Sequence, residues 1–565
     1  YIERVYAIME QHSLFISHGI IYTKPGSGKS FDDYLVSADT KMYQLKQQHK
    51  QKKDCNFLKG VDISSIPMMV DNNIQIMDRE GHACSVFDLL KLNNVNSVRL
   101  RIWNEPDKVP ESKGYCSLAY VLEMAHVIKK YKMHFLLDFH YSDYWADPGQ
   151  QNKPDAWKNL SFDELKEAVH KYTYDVLYRL KIMDCAPDMV QIGNEIRSGM
   201  LFPDGAVPQY RQLAALVNEG IRAVRELLPE TKVMIHLDQG GRYNCIMPWF
   251  DSMFNAGMLP IDAIGLSFYS FWHGTFMDLK DTMSRLIKLY NLPVYIVETA
   301  HPWRHCKGEH ISKELMETAG LDAGIEEQKK SLEIIMQIAA EVSKDTGKTG
   351  VYYWEPVGVP GKGMGTWFEN MGMFDEHGRA LPGWDAIRDF DPKNPPIKEL
   401  DKYIESLYEY EETPEVEDFM KLLMIHGNLI SNPEFKDGFN NWQIETSLEE
   451  RQYTLGKDGV FISSDANFDY SISQTVDIEY TGEYIAAVEY RGTNTTGVEV
   501  ELFMDVEDES GVHTYTRDIF PADVRFVTHL LKPVRLQKNA RVTVGLRMHT
   551  PPVFAKIKKF SLVVI

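Results

Sequence analysis

Met189-Val190-Gln191-Ile192-Gly193-Asn194-Glu195-Ile196 is a short apolar run that ends on an amide and a carboxylate and then opens into a loop with glycine and proline. Such a run predicts a buried parallel strand that delivers polar groups at its C-terminal end. Pro293-Val294-Tyr295-Ile296-Val297-Glu298 has the same grammar and closes on a second glutamate. Cleaving a glycosidic bond needs one carboxylic acid to protonate the leaving oxygen and one carboxylate on the other side of the anomeric carbon. When the two lie about 5 Å apart, the reaction retains configuration through a covalent intermediate. Glu195 and Glu298 are candidates for these jobs.

Outward from these two runs the same strand-then-helix rhythm extends from Gly60 onward. Further strand-like runs are Gly60-Val61-Asp62-Ile63, the stretch from Ser97 to Trp103, and the stretch from His134 to His140. Lys232 to Leu237, Ala263 to Tyr269, and Gly350 to Trp354 complete the set. Between them, Phe162, Leu165, Val169, Tyr172, Val176 and Leu180 recur at helical spacing, with Ser161 and Glu164 placed as a capping box. Eight strands alternating with helices predict a (β/α)8 barrel, whose chemistry sits at the carboxyl ends of the strands. The competing fold is a doubly wound open sheet, but no glycine-rich dinucleotide turn follows the first strand.

The chain divides into four parts: an N-terminal extension (1–57) of unknown role, the barrel (58–390), an acidic connector (391–427) and a C-terminal region (428–565). In the extension, Pro25-Gly26-Ser27-Gly28-Lys29-Ser30 looks like a phosphate loop. Thr23 stands where that motif needs glycine and no apolar strand leads into it, so a solvated turn is the better reading. The C-terminal region has short alternating runs such as Val498-Glu499-Val500-Glu501-Leu502, the signature of an all-β sandwich.

A formal net charge of -20 argues against nucleic acid and anionic membrane surfaces as partners and suits a neutral polymer. The ten tryptophans matter because sugar rings stack their C–H faces on flat aromatic surfaces. Six scattered cysteines without ligand-like spacing give no zinc site and read as mostly free. No apolar run is long enough to span a bilayer. A secreted or cell-surface monomer is expected.

Other candidate site residues follow from strand ends. Arg99 and Arg101 alternate along the second strand, so both point inward with Trp103. They need anionic partners inside the barrel. One would hold the nucleophile ionised, and the other has a structural ion pair as its simplest role. His140 could bond a sugar hydroxyl or a catalytic carboxylate, or serve structurally. Asn194 is placed for the sugar 2-hydroxyl, Tyr269 to donate to the nucleophile, and Trp354 to form a platform under the sugar. Strand alternation turns Glu355 the other way.

These runs, with Asp138-Phe139-His140-Tyr141-Ser142-Asp143-Tyr144-Trp145-Ala146-Asp147-Pro148 and Tyr353-Trp354-Glu355-Pro356, resemble glycoside hydrolase family 53, the endo-β-1,4-galactanases of clan A. The resemblance implies a retaining mechanism on type I arabinogalactan and pectic galactan side chains, with Glu195 as acid/base and Glu298 as nucleophile. It also implies sugar-cleft roles for Asp143, Trp145 and Trp367. Several bacterial members hold calcium on the loop after strand seven. Here that loop, from Thr299 to His310, lacks the acidic clustering that calcium prefers, so no cofactor is expected. The sandwich resembles carbohydrate-binding modules, with a purely structural role as the alternative. Trp442 reads as core rather than platform, and Phe468, Tyr470 and Tyr515 are candidate platforms. Competing functions are another clan A endo-glycanase, acting on mannan or β-glucan, and a non-catalytic glycan-binding protein.

Overall fold

The computed structural model describes residues 57–564, apart from positions 307–310, 345, 362, 409–413, 449–451, 457–458, 465–467, 493–498, 509–510, 520–525 and 551–552. The phosphate-loop-like stretch therefore lies outside the described residues. Eight parallel strands close into a barrel: β1 Phe57–Asp62, β2 Ser97–Ile102, β3 His134–Phe139, β4 Met189–Ile192, β5 Lys232–Leu237, β6 Ala263–Ser267, β7 Val294–Thr299 and β8 Thr349–Trp354. Each pairs with its neighbours in sequence, and β8 closes on β1. Helices cover the outside. One of them, α1 (Phe162–Ile182), starts at the Ser161/Glu164 capping box and buries Leu165, Val169, Val176 and Leu180.

Leu58, Leu136, Met189, Met234, Ala263, Tyr295, Val297 and Tyr352 form one apolar cluster from all but one of the barrel strands. Farther along several strands the inward positions become polar, two residues on at Asp138, Gln191 and His236 and four on at Asp62, and all are buried. Strict alternation would send Glu298 outward, because Tyr295 and Val297 already belong to the interior. The pairing slips there: Leu266 opposes Ile296, yet Ser267 opposes Glu298. On the other side Val351 opposes Ile296 and Tyr353 opposes Thr299. A bulge of this kind re-aims a side chain, and it brings Glu298 onto the inward set.

The C-terminal region is two antiparallel sheets. Its strands are β9 Gln443–Thr446, β10 Tyr453–Gly456, β11 Gly459–Ser464, β12 Phe468–Asp477, β13 Gly482–Gly492, β14 Glu499–Asp508, β15 Gly511–Ile519, β16 Val527–Leu530, β17 Val534–Leu536, β18 Arg541–Thr550 and β19 Val553–Val564. One sheet runs β9-β12-β18-β14-β15; the other runs β10-β11-β19-β13-β16, with β17 also on β13. Val460, Ile472, Val488, Leu502, Val544 and Leu562 belong to the shared core. The expected connector carries helix, and Phe419 from its second helix (Pro414–His426) is buried against Ala487 and Val563.

The platform candidates are redistributed by strand parity. Phe468 and Tyr470 share a face with Ile472 and are buried with it in the core. Trp442 is buried too, with Phe435 and Phe560 at ring distances of 4.9 Å. Tyr515 alone of the four is exposed. Cys84, Cys116 and Cys185 carry free thiols. Among the described residues no helix is long and apolar enough to cross a membrane.

Candidate active site

At the carboxyl ends of the strands lies a cleft of about 740 Å³, lined by residues from all the barrel strands except β1 or from the loops that follow them. It gathers Arg99, Arg101, His140, Trp145, Asn194, Glu195, Tyr269, Glu298 and Trp354. Asp143 and Trp367 are not part of its lining. Asp143 accepts the Glu105 and Asp155 amides at 2.9 and 2.8 Å, which braces the loop behind the wall. Trp367 lies on Gly358, and its neighbour Phe368 turns to the cleft instead, edge-on to Trp354.

Glu298 is held by Arg99 at 2.8 Å. The same guanidinium bonds Asp62 and Asp138, each at 2.9 Å, and Asn194 Oδ1 at 2.8 Å. Arg101 pairs with Glu355 at 2.6 Å and stacks over the Trp145 ring at 4.3 Å. Glu355 thus departs from the alternation argument. A left-handed backbone, with φ of 49°, turns its buried carboxylate back onto Arg101 and the Ser65 hydroxyl. Two guanidinium groups face four acidic side chains in this layer. Burial pushes both Glu298 and Glu355 up to about 7, against the pull of Arg99 and Arg101 respectively.

Glu195 stands in a different environment. Its φ of 48° places it in the left-handed region, where a non-glycine residue is strained, immediately past Gly193 and Asn194. The Ser267 hydroxyl donates to it at 2.5 Å and is itself 2.8 Å from His236 Nε2. Burial, then the charges of Glu298 and Asp238, raise Glu195 well above the ordinary carboxylate value. Burial and neighbouring charge depress His236, so it is neutral. The Tyr269 hydroxyl, just past the neighbouring strand β6, reaches Glu298 at 3.5 Å.

His140 has both ring nitrogens engaged. Nδ1 accepts Trp103 Nε1–H at 3.3 Å and the Ala146 amide at 3.2 Å, so the proton sits on Nε2, 3.0 Å from Asp138. Asn194 donates to the Ala146 carbonyl at 2.8 Å. The arrangement offers one acidic group that keeps its proton and one that a guanidinium favours as a carboxylate, between aromatic walls.

Sequence reasoning gave no role to Asp62, Asp138, Gln191, His236, Ser267 or Trp272. A signal existed for two of them: Asp62 aligns with Arg99 and Asp138 with Arg101 across neighbouring strands. For the loop after β7, positions 307–310 lie outside the described residues. In the described part, His305 faces Asp322 at 2.7 Å and Arg304 faces Glu376 at 3.5 Å.

A family model described as Glycosyl hydrolase family 53 matches residues 58–387. The arabinogalactan endo-β-1,4-galactanase A of Emericella nidulans is 33% identical over 331 residues, which cover 57% of this chain and 91% of that protein. The endo-β-1,4-galactanase of Bacillus subtilis is 30% identical over 328 residues, 56% of this chain and 73% of that one. Among solved structures, the Ignisphaera aggregans GH53 catalytic domain superposes with a TM-score of 0.55 at 35% identity, covering 59% of this chain and 96% of its own.

Proposed function

The chain belongs to glycosyl hydrolase family 53, and on that premise we propose that it cleaves β-1,4-galactan internally with retention, using Glu298 as nucleophile and Glu195 as acid/base. The observation that carries the roles is the unequal setting of the two glutamates: Arg99 bonds Glu298 directly, whereas Glu195 is buried beside a hydroxyl. Environments that push two carboxyl groups apart in this way assign the acid and the base.

In the first step a Glu298 oxygen bonds the anomeric carbon while the bond to the departing sugar breaks and the Glu195 proton passes to the leaving oxygen. In the second, Glu195 takes a proton from water, the water oxygen bonds the anomeric carbon and Glu298 departs. Two displacements restore the starting configuration. Arg99 and Tyr269 steady Glu298 through both. Ser267 fixes one Glu195 oxygen and leaves the other to carry the proton. Trp354 and Trp145 supply apolar faces for the ring.

A neutral polymer suits a chain of net charge -20. A polysaccharide does not cross a bilayer, so the enzyme acts secreted or at the cell surface. For the sandwich, glycan contact falls to the polar groove around Arg547 and His549 on the open face of the five-stranded sheet, with exposed Tyr515 on the edge strand β15 as a separate candidate.

The test is product release from linear β-1,4-galactan, β-mannan and β-glucan in parallel. Oligosaccharides from galactan, with the β-anomer formed first by proton NMR, are expected. Activity only on the other two polymers rejects the substrate, and binding without turnover rejects the enzyme.

A further inference from the structure

The barrel and the sandwich meet at a buried charge. Asp278 lies in the first turn of α3 (Phe276–Tyr290), where its Oδ2 accepts the Thr275 amide at 2.9 Å and hydroxyl at 2.8 Å. Its Oδ1 accepts Arg491 of β13 at 2.6 Å and Lys556 of β19 at 2.8 Å. The side chains of all three are at most 3% exposed. One carboxylate thus caps a barrel helix and receives both sandwich cations.

A second joint lies nearby. Asn244, at the start of α2 (Tyr243–Asn255) and ahead of α3 in the chain, donates to the Gln452 carbonyl at 3.2 Å and accepts from the Thr454 hydroxyl at 3.3 Å. Both joints sit just downstream of loops that wall the cleft. Asp238 and Gln239 precede Asn244; Tyr269, Trp272 and His273 precede Asp278. The two loops also grip one another. Arg242 donates to the Trp272 carbonyl at 3.3 Å, and a side chain on Gly241 would strike the His273 carbonyl. From this wall Tyr269 reaches Glu298, and His273 Nδ1 is 3.0 Å from the carbonyl of Ser267, whose hydroxyl serves Glu195.

We propose that Arg491 and Lys556 are positioning residues for hydrolysis: through Asp278 they hold the Tyr269–Trp272–His273 wall in register with the two glutamates. The sandwich then serves turnover on any galactan chain, however short, in addition to any glycan it holds. A purely adhesive module would affect only long or insoluble polymer. The inference rests on the roles given above to Glu195 and Glu298.

The test uses the full chain with a short soluble galacto-oligosaccharide that fills the cleft alone. Arg491→Met is expected to lower kcat/KM about tenfold, mostly in kcat, and to move the acidic limb of the pH profile upward, because Tyr269 steadies Glu298 less well. The other charged or titratable groups facing Glu298 are Arg99, Asp62, Asp138 and Glu195, none of which the substitution touches. Arg491→Lys should recover most of the loss. Folded Arg491→Met with native kcat and an unmoved pH profile overturns the proposal. If that variant does not fold, Asn244→Ala decides, with an expected loss of about threefold and the same shift; an unchanged profile overturns it. An inactive wild-type chain would instead sink the catalytic roles themselves.

Discussion

Two buried charge clusters among the described residues are opposites. At the barrel mouth two arginines meet four acidic side chains beside an open cleft; at the joint with the sandwich Asp278 receives two cations, and all three side chains are sealed from solvent. Burial, helped by neighbouring acids, leaves Glu298 and Glu355 near 7. At the joint the pull is the other way: against burial, which would raise it, Arg491 and Lys556 hold Asp278 well below the ordinary carboxylate value. The first arrangement makes proton traffic available near neutral pH, which catalysis needs. The second leaves the joint no proton to trade, and its product is geometry.

The sharpest way to break this contrast is Glu298→Ala. Turnover should fall on the order of 10⁴-fold or more, while azide returns activity as a glycosyl adduct of inverted configuration. Unaltered galactan hydrolysis would remove Glu298 from the mechanism. Next in size is Arg99→Met, which strands Asp62, Asp138 and Glu298 without their shared cation. Removing one partner from a buried pair costs about 3–5 kcal/mol, read as a lowered midpoint in urea unfolding; an unchanged midpoint would mean the layer is neutralised by protons rather than by Arg99.

A third prediction separates the clusters by pH. Glu298 and Glu355 have folded values above their unfolded ones, so their stabilising contribution is present below the unfolded value and is lost as pH rises through about 7. Asp278 has the opposite sign: its contribution is present above the unfolded value and is lost as pH falls. Thermal melting of Glu355→Gln should therefore decline less than wild type on the alkaline side, whereas Asp278→Asn should flatten the acidic side. Parallel curves for all three proteins would contradict the assignment. The smallest effect belongs to charges in water. Arg547, on the open sandwich face, pairs with Glu501 and Asp505 while 43% exposed. Screening limits its contribution, so Arg547→Ala should cost at most about 1 kcal/mol, and a larger loss of melting temperature would show that this face is not simply solvated.

The eight-strand rhythm was readable because buried parallel strands need continuous apolar runs, and both glutamates announced themselves by ending such runs. Two of the sugar-contact candidates do not line the cleft, and the reason is local in each case. Asp143 spends its carboxylate on two backbone amides, and a backbone turn at Trp367 and Phe368 exchanges which ring faces the cleft. Two of the sandwich's platform candidates, Phe468 and Tyr470, failed on parity, since one residue of register decides whether an aromatic ring is core or surface.

Periodicity and residue chemistry thus determined by themselves the barrel, the sandwich, the pair of glutamates and the need for anionic partners around Arg99 and Arg101. These are properties of single segments, which local pattern records. Only the tertiary structure decided that a bulge turns Glu298 inward, that a left-handed residue brings Glu355 onto Arg101, and that Asp278 receives two cations from strands more than two hundred residues away. Each depends on how distant strands register against one another, and no single segment carries that information.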